Sequence, residues 1–201
     1  MANVRRLGFI PTRLSGGGSL TYRKGRVLSN PTLNIFLNDV VEVTSSGDWV
    51  ASPTGNEQTM KGSVSGGCTY VDAQNKRIEA KFLPAATTYS GSSFEPELGA
   101  YIYVVDNATM VEFEANVANS AIALTDLNLN YPVVLTVGST TTGLSAHELN
   151  ATGRATTSTF PFRVREPVRR ADNDLSLVDC KVLCMINAGQ TEPALSIALG
   201  T

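Results

Sequence analysis

The stretch Met110–Val117, with the sequence MVEFEANV, has the clearest periodicity in this chain of 201 residues. Val111, Phe113, Ala115 and Val117 are apolar, and each is separated from the next by a glutamate or an asparagine. Successive side chains of a β-strand point to opposite faces of the sheet. The stretch therefore predicts a strand with one buried face and one acidic face in contact with water.

Short runs rich in Val, Ile, Thr and aromatic residues recur along the chain and are separated by turn-forming residues. They lie at 35–43, 67–71, 77–82, 100–105, 131–137, 162–168 and 181–186. No window of fifteen residues has a convincing helical period, and 116–129 is expected to hold one short helix or none. The sequence predicts a mainly β protein of eight or nine strands, built as an antiparallel β-barrel or sandwich.

The composition indicates one globular domain. Hydrophobic residues make up 42% of the chain and charged residues 17%. A chain of this composition and length can form a hydrophobic core without disulfide or metal cross-links. The net charge of −2 gives no reason to expect nucleic acid or an anionic membrane as a partner. The N-terminus has no apolar signal region, so the protein is expected to stay in the cytosol where it is made.

The first thirty residues differ in charge from the rest of the chain. They hold six basic residues and no acidic one, whereas 31–201 hold 10 basic and 18 acidic residues. SGGGS at 15–19 and other turn formers interrupt any periodicity. We therefore predict an extended basic arm at 1–30 and a single β-rich body at 31–201 that folds without it. The acidic zone at 82–153, which has no Lys or Arg, is a candidate partner for the arm of another subunit.

Few residues suggest catalysis or metal binding. His147 is the only histidine and is interpreted as a surface or turn residue. Glu112 and Glu114 resemble a glycosidase pair, but strand alternation alone produces such pairs. Asp172-Asn-Asp174 lacks the glycine and distal glutamate of a calcium loop and is interpreted as a turn. We expect no catalytic residue, no metal and no cofactor.

Three cysteines, Cys68, Cys180 and Cys184, have no metal-ligand spacing. Cys180 and Cys184 are four residues apart on one predicted strand, about 13 Å by strand rise, which is too far for a disulfide. We expect all three to be buried and reduced.

Basic residues also cluster at 163–170, where acidic neighbours weaken a nucleic-acid interpretation and favour ion pairs with a partner protein. Together with the arm, this cluster gives the predicted interface with a partner or a second subunit. Its residues are Arg5, Arg6, Leu7, Phe9, Ile10, Arg13, Leu14, Tyr22, Arg23, Arg163, Arg165, Arg169 and Arg170.

Five blocks of the sequence, in order and over nearly the whole chain, resemble the head decoration proteins of tailed bacteriophages. They are MANV at 1–4 with GFIP and Arg13 at 8–13, FLNDVV at 36–41, GGCTYVD at 66–72, AYIYVVD at 100–106 with VEFEA at 111–115, and Arg163-Val164 with DND at 172–174 and VLCMIN at 182–187. The chain departs from the family pattern at Asn38, where the family has Gly, and at Asn107-Ala108, where it has Asp-Pro.

The resemblance implies a structural role on the capsid exterior, with no catalytic residues. The expected partners are the major capsid protein and the protein itself as a dimer or trimer, and the expected location is the virion, after synthesis in the cytoplasm of the host bacterium. Alternatives are a tail or fibre component that binds a host receptor, and a small carbohydrate hydrolase. The single Trp argues against the carbohydrate platform that a receptor-binding protein would present.

Overall fold

The computed structural model describes residues 7–27, 30–55, 60–72, 74, 76–85, 89, 99–105 and 110–187. The protein is mainly β, as predicted, with antiparallel and mixed sheets that include a nearly closed, barrel-like one. The strands of the described residues are β1 Ile10–Leu14, β2 Arg23–Arg26, β3 Ile35–Phe36, β4 Val40–Val43, β5 Trp49–Ala51, β6 Met60–Val71, β7 Arg77–Ala80, β8 Phe82–Leu83, β9 Ala100–Val105, β10 Val111–Ala118, β11 Asn130–Tyr131, β12 Val133–Val134, β13 Glu148–Asn150, β14 Phe162–Pro167 and β15 Cys180–Ile186. Single 3-10 turns lie at Leu124–Asp126 and Ala151–Gly153.

The first sheet is built around β10, the strand that the opening periodicity predicts. Its strand order is β11-β14-β15-β10-β13-β12, and β1 pairs with the first half of β10 beside β13. Val111, Phe113, Ala115 and Val117 are all buried, as the alternation requires. The predicted water-facing side of the strand is wrong, because Glu112 and Asn116 are buried as well. Of the predicted helix candidate at 116–129, the first three residues belong to β10 and only Leu124–Asp126 form a helical turn.

The second sheet is built around the long strand β6. Its strand order is β2-β9-β6-β4-β5, and β7 pairs with the second half of β6. The short strands β3 and β8 form a separate pair. Gly67 lies in β6 at φ +77°, and a Cβ there would come within 2.6 Å of the carbonyl oxygen of Ala80. Glycine is therefore required where β6 changes its pairing partner from β4 to β7.

Residues 7–27 are extended, but they belong to the two sheets and do not form a separate arm. β1 pairs with β10 of the first sheet, and β2 pairs with β9 of the second. Phe9 is fully buried, with its ring stacked on Phe162 at 4.3 Å between centroids. The predicted boundary at residue 30 therefore does not divide two folding units, because this segment has backbone pairing and a core position of its own.

The core consists of two apolar clusters, one on each sheet. The cluster of the first sheet also takes in Val40, Met60 and Val105 from the second, so the sheets share a core where these strands meet. Cys180 and Cys184 both lie on the inward face of β15, and both are buried free thiols. Burial raises the pKa of Cys180 to about 11, which makes its thiol a poor nucleophile at neutral pH.

Candidate functional site

A tight turn between β3 and β4 positions the buried carboxyl group of Asp39. The backbone N–H of Asp39 donates to the Phe36 carbonyl at 3.1 Å, and the Phe36 N–H donates to Asp39 Oδ2 at 2.7 Å. Asn38, the residue before, has φ +71°, a conformation that glycine and asparagine tolerate best. Asn38 is the position where the resemblance has glycine, so the turn accommodates this departure. Asp39 is only 1% exposed.

His147 packs against Asp39 and is buried, so its interpretation as a surface residue is wrong. His147 immediately precedes β13. Its side chain is shielded from solvent because the 135–147 segment folds over the β3–β4 turn. The Val40 N–H donates to His147 Nδ1 at 3.3 Å. Because Nδ1 accepts a hydrogen bond, the neutral ring carries its proton on Nε2. That nitrogen lies 3.5 Å from Asp39 Oδ1.

Burial shifts the pKa values of both groups toward their neutral forms. Desolvation raises the pKa of Asp39 from 3.8 to about 7 and lowers that of His147 from 6.5 to about 4. The Ser145 hydroxyl is close enough to favour the ionised carboxyl slightly. Yet no donor among the described residues reaches Asp39 Oδ1 with hydrogen-bond geometry. An acceptor buried in this way costs free energy until a donor satisfies it.

Asp39 and His147 lie at the base of a partly open cavity of about 320 Å³. The cavity is lined by Thr32, Leu33, Asn34, Phe36, Asp39, Ala51, Ser52, Pro53, Ala85, Leu135, Thr136, Val137, Gly138 and His147. Leu33 and Val137 form part of its rim and are 45% and 78% exposed. The site thus combines exposed aliphatic side chains at the mouth with an unsatisfied carboxyl oxygen at the base. We call it the Asp39 pocket.

The geometry of the pair differs from that of a catalytic triad. In a catalytic triad the acid orients Nδ1–H, which leaves Nε2 free to take a proton from the nucleophile. Here Nδ1 accepts from Val40, and Nε2 lies 3.5 Å from Asp39 Oδ1, so neither ring nitrogen has the role that it has in a triad. The Ser145 hydroxyl accepts from the backbone N–H of His147 at 3.1 Å, which ties it to the same turn.

Comparison of the chain with family models, with curated proteins and with solved structures found no match.

The predicted N-terminal interface residues have different positions in the structure. Arg5 and Arg6 lie outside the described residues. Leu7, Ile10 and Leu14 are half-buried, and Leu14 packs against the core of the first sheet. Phe9 cannot insert into a neighbour because it is enclosed in the core of its own chain. Tyr22, which is 54% exposed, and the exposed Arg23 are the positions that remain accessible for a partner.

Two of the predicted interface arginines are paired within the chain. Arg13 Nε lies 2.5 Å from Glu112 and Arg13 Nη2 lies 2.8 Å from Glu166. Arg170 Nη2 lies 2.6 Å from Glu114. Glu112 and Glu114 of the acidic zone therefore bind the chain's own arginines, and their side chains are not free for the arm of another subunit.

The other basic residues of the predicted interface remain exposed. Arg163 and Arg165 are exposed on β14, where they alternate with the buried Phe162 and Val164, and Arg169 is exposed in the segment that follows. None of the three arginines has a hydrogen bond or ion pair with another described residue. Arg163 and Arg165 thus lie on the exposed face of β14 without a neutralising partner among the described residues.

Sequence reasoning missed the Asp39 pocket because Asp39 and His147 are 108 positions apart and no pattern in the sequence connects them. Asp39 stood in a block that carries the resemblance, but nothing marked it as buried. No group of three side chains suited to a metal occurs in the part of the chain that the structure describes. Within the same residues, no helix has the length and apolar character needed to span a membrane.

Proposed function

We propose that this protein is a structural component of a bacteriophage particle that binds the outside of the capsid and reinforces it. The observation that carries the proposal is that the sequence blocks resembling head decoration proteins contact one another. They form the central strands of both sheets and the turn that joins the N-terminal segment to the body.

The first two blocks meet at the β3–β4 turn. The Phe9 N–H donates to the Asn38 carbonyl at 2.9 Å, and Asn38 Nδ2 donates to the Leu7 carbonyl at 2.9 Å. Gly8 has φ +72°, and a Cβ there would lie 2.4 Å from the Asn38 carbonyl oxygen. Gly8 and Asn38 thus depend on each other. This dependence gives a physical reason for GF and FLND to occur in one sequence.

The remaining blocks pair as neighbouring strands. GGCTYVD lies on β6 and pairs with β9, which holds AYIYVV, through Thr69 opposite Tyr101. VEFEA lies on β10 and pairs with VLCMI on β15, through Ala115 opposite Val182. The Asn107-Ala108 departure lies outside the described residues.

The architecture suits a protein under mechanical load. The N-terminal segment adds a strand to each sheet, so separating the sheets requires breaking backbone pairing and removing Phe9 from the core. A reinforcing subunit would contact the major capsid protein through exposed side chains such as Tyr22 and Arg23. Many copies acting together would stabilise the assembled shell by mass action.

Particles that lack this protein are expected to release their genome at a lower temperature than complete particles. Purified protein added back should restore the higher temperature, because a subunit that binds only the assembled shell stabilises it. The measurement is genome release, followed by dye fluorescence during heating. A heated, unfolded sample of the protein serves as the control. Equal release temperatures with and without the protein would reject the reinforcing role.

Replacing Tyr22 with alanine is expected to weaken capsid binding by about tenfold, since exposed tyrosines are frequent binding hot spots. Tyr22 is the strongly exposed member of the predicted apolar anchors, so its removal leaves the core intact. Leu124→Ala is the matched control, because Leu124 is 69% exposed on another part of the chain. Occupancy on particles is measured against protein concentration. If both variants bind like the unaltered protein, the N-terminal segment is not the anchor.

A further inference from the structure

The mouth of the Asp39 pocket is bordered by a length of chain whose backbone is unpaired. Residues 135–138 directly follow β12 and line the pocket. Within the described part of the chain, the backbone N–H groups of 135–138 donate no hydrogen bond. The side chains of Val137 and Leu33, beside this stretch, are exposed to solvent. Unpaired backbone next to exposed apolar side chains is a template for an added strand.

Residues 193–199, with the sequence PALSIAL, have the pattern that such an added strand needs. Their large aliphatic side chains, Leu195, Ile197 and Leu199, are separated by the small residues Ser196 and Ala198. In an extended conformation, all three large side chains would lie on one face. Residues 188–201 lie outside the described residues, so their contacts are inferred from the pattern and from the position of Asn187.

The topology of the first sheet directs both segments to the same end of the sheet. β11 and β15 are both antiparallel to β14, so they run in the same direction. Tyr131 and Ile186 are both partners of Phe162, so they lie at the same level of the sheet. β12 keeps the direction of β15, because β12 is antiparallel to β13, β13 is parallel to β10, and β10 is antiparallel to β15. The chain therefore leaves this end of the sheet twice, towards 135–138 and towards 193–199.

The chain after Ile186 is long enough to reach the mouth of the pocket. Ile186 and Tyr131 are two strand spacings apart, about 10 Å. Tyr131 and Leu135 are four residues apart and thus separated by at most about 15 Å. The Cα atoms of Ile186 and Leu135 are therefore no more than about 25 Å apart. The nine residues from Ile186 to Leu195 span about 30 Å when extended, so Leu195 can lie beside Leu135 of the same chain.

We propose that residues 195–199 bind along 135–138 of their own chain as an added β-strand that covers the mouth of the Asp39 pocket. The backbone groups of the two segments satisfy each other, and alternate side chains of the added strand pack on Leu33 and Val137. The contact uses the exposed rim, and no group has to reach the buried carboxyl of Asp39. This inference goes beyond the proposed function, because the contact forms within one subunit and needs no capsid.

The short connection favours binding within one chain over binding to a second copy. A flexible connection of this length gives the 195–199 segment an effective concentration in the millimolar range at its own rim. In a micromolar solution of the protein, the same segment of a second copy is about a thousandfold more dilute. The occupant of the rim is therefore the segment of the same chain.

Hydrogen exchange of the full chain, followed by mass spectrometry, tests the added strand. The first variant replaces the three large side chains: Leu195→Ser, Ile197→Ser and Leu199→Ser. The backbone amides of 135–138 are expected to exchange about tenfold faster in this variant than in the unaltered protein, because they lose their partners. Equal exchange of 135–138 in the two proteins would overturn the proposal.

Two comparisons show that this effect is local. The control variant, with Ser196→Asn and Ala198→Ser, changes the side chains of the opposite face and should leave the exchange of 135–138 unaltered. Faster exchange in the control, equal to that of the first variant, would reject the predicted face. The amides of β10 report whether each variant is folded, since β10 is central in the first sheet. If the first variant does not fold, cross-linking decides.

Cross-linking uses Val137→Cys combined in turn with Leu195→Cys, Ile197→Cys or Leu199→Cys. At least one pair is expected to form an intrachain disulfide about tenfold faster under mild oxidation than the control pair Leu124→Cys with Ile197→Cys. Leu124 is also strongly exposed, but it follows β10 and so lies beyond the opposite end of the sheet. The native cysteines are buried, which keeps them out of the reaction.

Two outcomes of the cross-linking would overturn the proposal. Rates equal to that of the control pair would show that the 195–199 segment has no preference for the rim. Disulfide-linked dimers in place of cross-linked monomers would show that the segment binds a second copy. Since no particles are present, both outcomes leave the capsid-binding proposal standing.

Discussion

Replacing Phe9 with alanine is expected to lower the free energy of unfolding by about 4 kcal/mol, the range found when a buried aromatic side chain is deleted. Phe9 is completely buried, its ring stacks on Phe162, and Phe162 contacts Phe113 edge to face at 6.2 Å between centroids. Removing the Phe9 ring therefore opens a cavity in the aromatic cluster of the first sheet. The rigid strands around it limit collapse of that cavity.

The Phe9 backbone also joins the two sheets. Its N–H donates to the Asn38 carbonyl, and its carbonyl accepts from the Ser63 hydroxyl of β6 at 2.6 Å. The alanine variant keeps these backbone bonds, so the measured loss reports the side chain alone. Unfolding in urea, with the slope checked for constancy, gives the difference in free energy.

Tyr22→Ala is the matched control for Phe9→Ala, because it truncates another aromatic residue of the N-terminal segment that is half exposed. We expect Tyr22→Ala to change the free energy of unfolding by less than about 1 kcal/mol. If Phe9→Ala lowered the free energy of unfolding by less than about 1 kcal/mol, residues 7–27 could separate from the sheets at little cost in free energy. The segment would then behave as the independent arm that the charge pattern predicted.

The pairing of the N-terminal segment with the two sheets could not be predicted from the sequence. SGGGS at 15–19 and the lack of periodicity predicted an extended arm, whereas the segment forms β1, a turn at 15–18 and β2. Its pairing was not predictable, because β1 bonds to residues about one hundred positions away on β10. Local pattern carries no information about such a partner. Removing residues 7–27 is therefore expected to destabilise the body, since it would remove Phe9 from the core and expose an edge of each sheet.

β10 shows the opposite case. Its alternation of apolar and polar residues is local, and it correctly predicted the buried face that holds Phe113. His147 has no such pattern around it, and its burial depends on the 135–147 segment crossing the β3–β4 turn. A lone histidine in a loop sequence gave no signal of this contact. The Asp39 pocket could thus be found only from the folded chain.

The two groups at the base of that pocket are expected to make opposite contributions to the pH dependence of stability. Folding raises the pKa of Asp39 from 3.8 to about 7, so its stabilising contribution is complete below pH 3.8 and is lost as the pH rises toward 7. Folding lowers the pKa of His147 from 6.5 to about 4, so its contribution is complete above pH 6.5 and is lost as the pH falls toward 4. Both shifts have the same main cause, burial.

Between pH 4 and 6.5 the contributions of Asp39 and His147 to the pH dependence of the free energy of unfolding cancel. The folded pair holds one proton, on Asp39, and the unfolded chain also holds one, on His147. The unaltered protein therefore gains or loses little stability from the pair in this window. When one of the two residues is replaced, the titration of the other is no longer compensated. The free energy of unfolding should then change by about 1.4 kcal/mol per pH unit.

Asp39→Asn is expected to lose about 3 kcal/mol relative to the unaltered protein as the pH falls from 6.5 to 4, because His147 then titrates alone. His147→Asn, whose amide oxygen can replace Nδ1 as the acceptor for Val40 N–H, should gain a similar amount over the same range. The double variant restores the flat profile and serves as the control. Urea unfolding at several pH values measures all four proteins, and other titrating groups cancel in the differences. If the free energy of unfolding changes with pH in the same direction in both single variants, the proton does not move from His147 to Asp39 on folding. The assignment of Asp39 and His147 as a buried neutral pair would then be wrong.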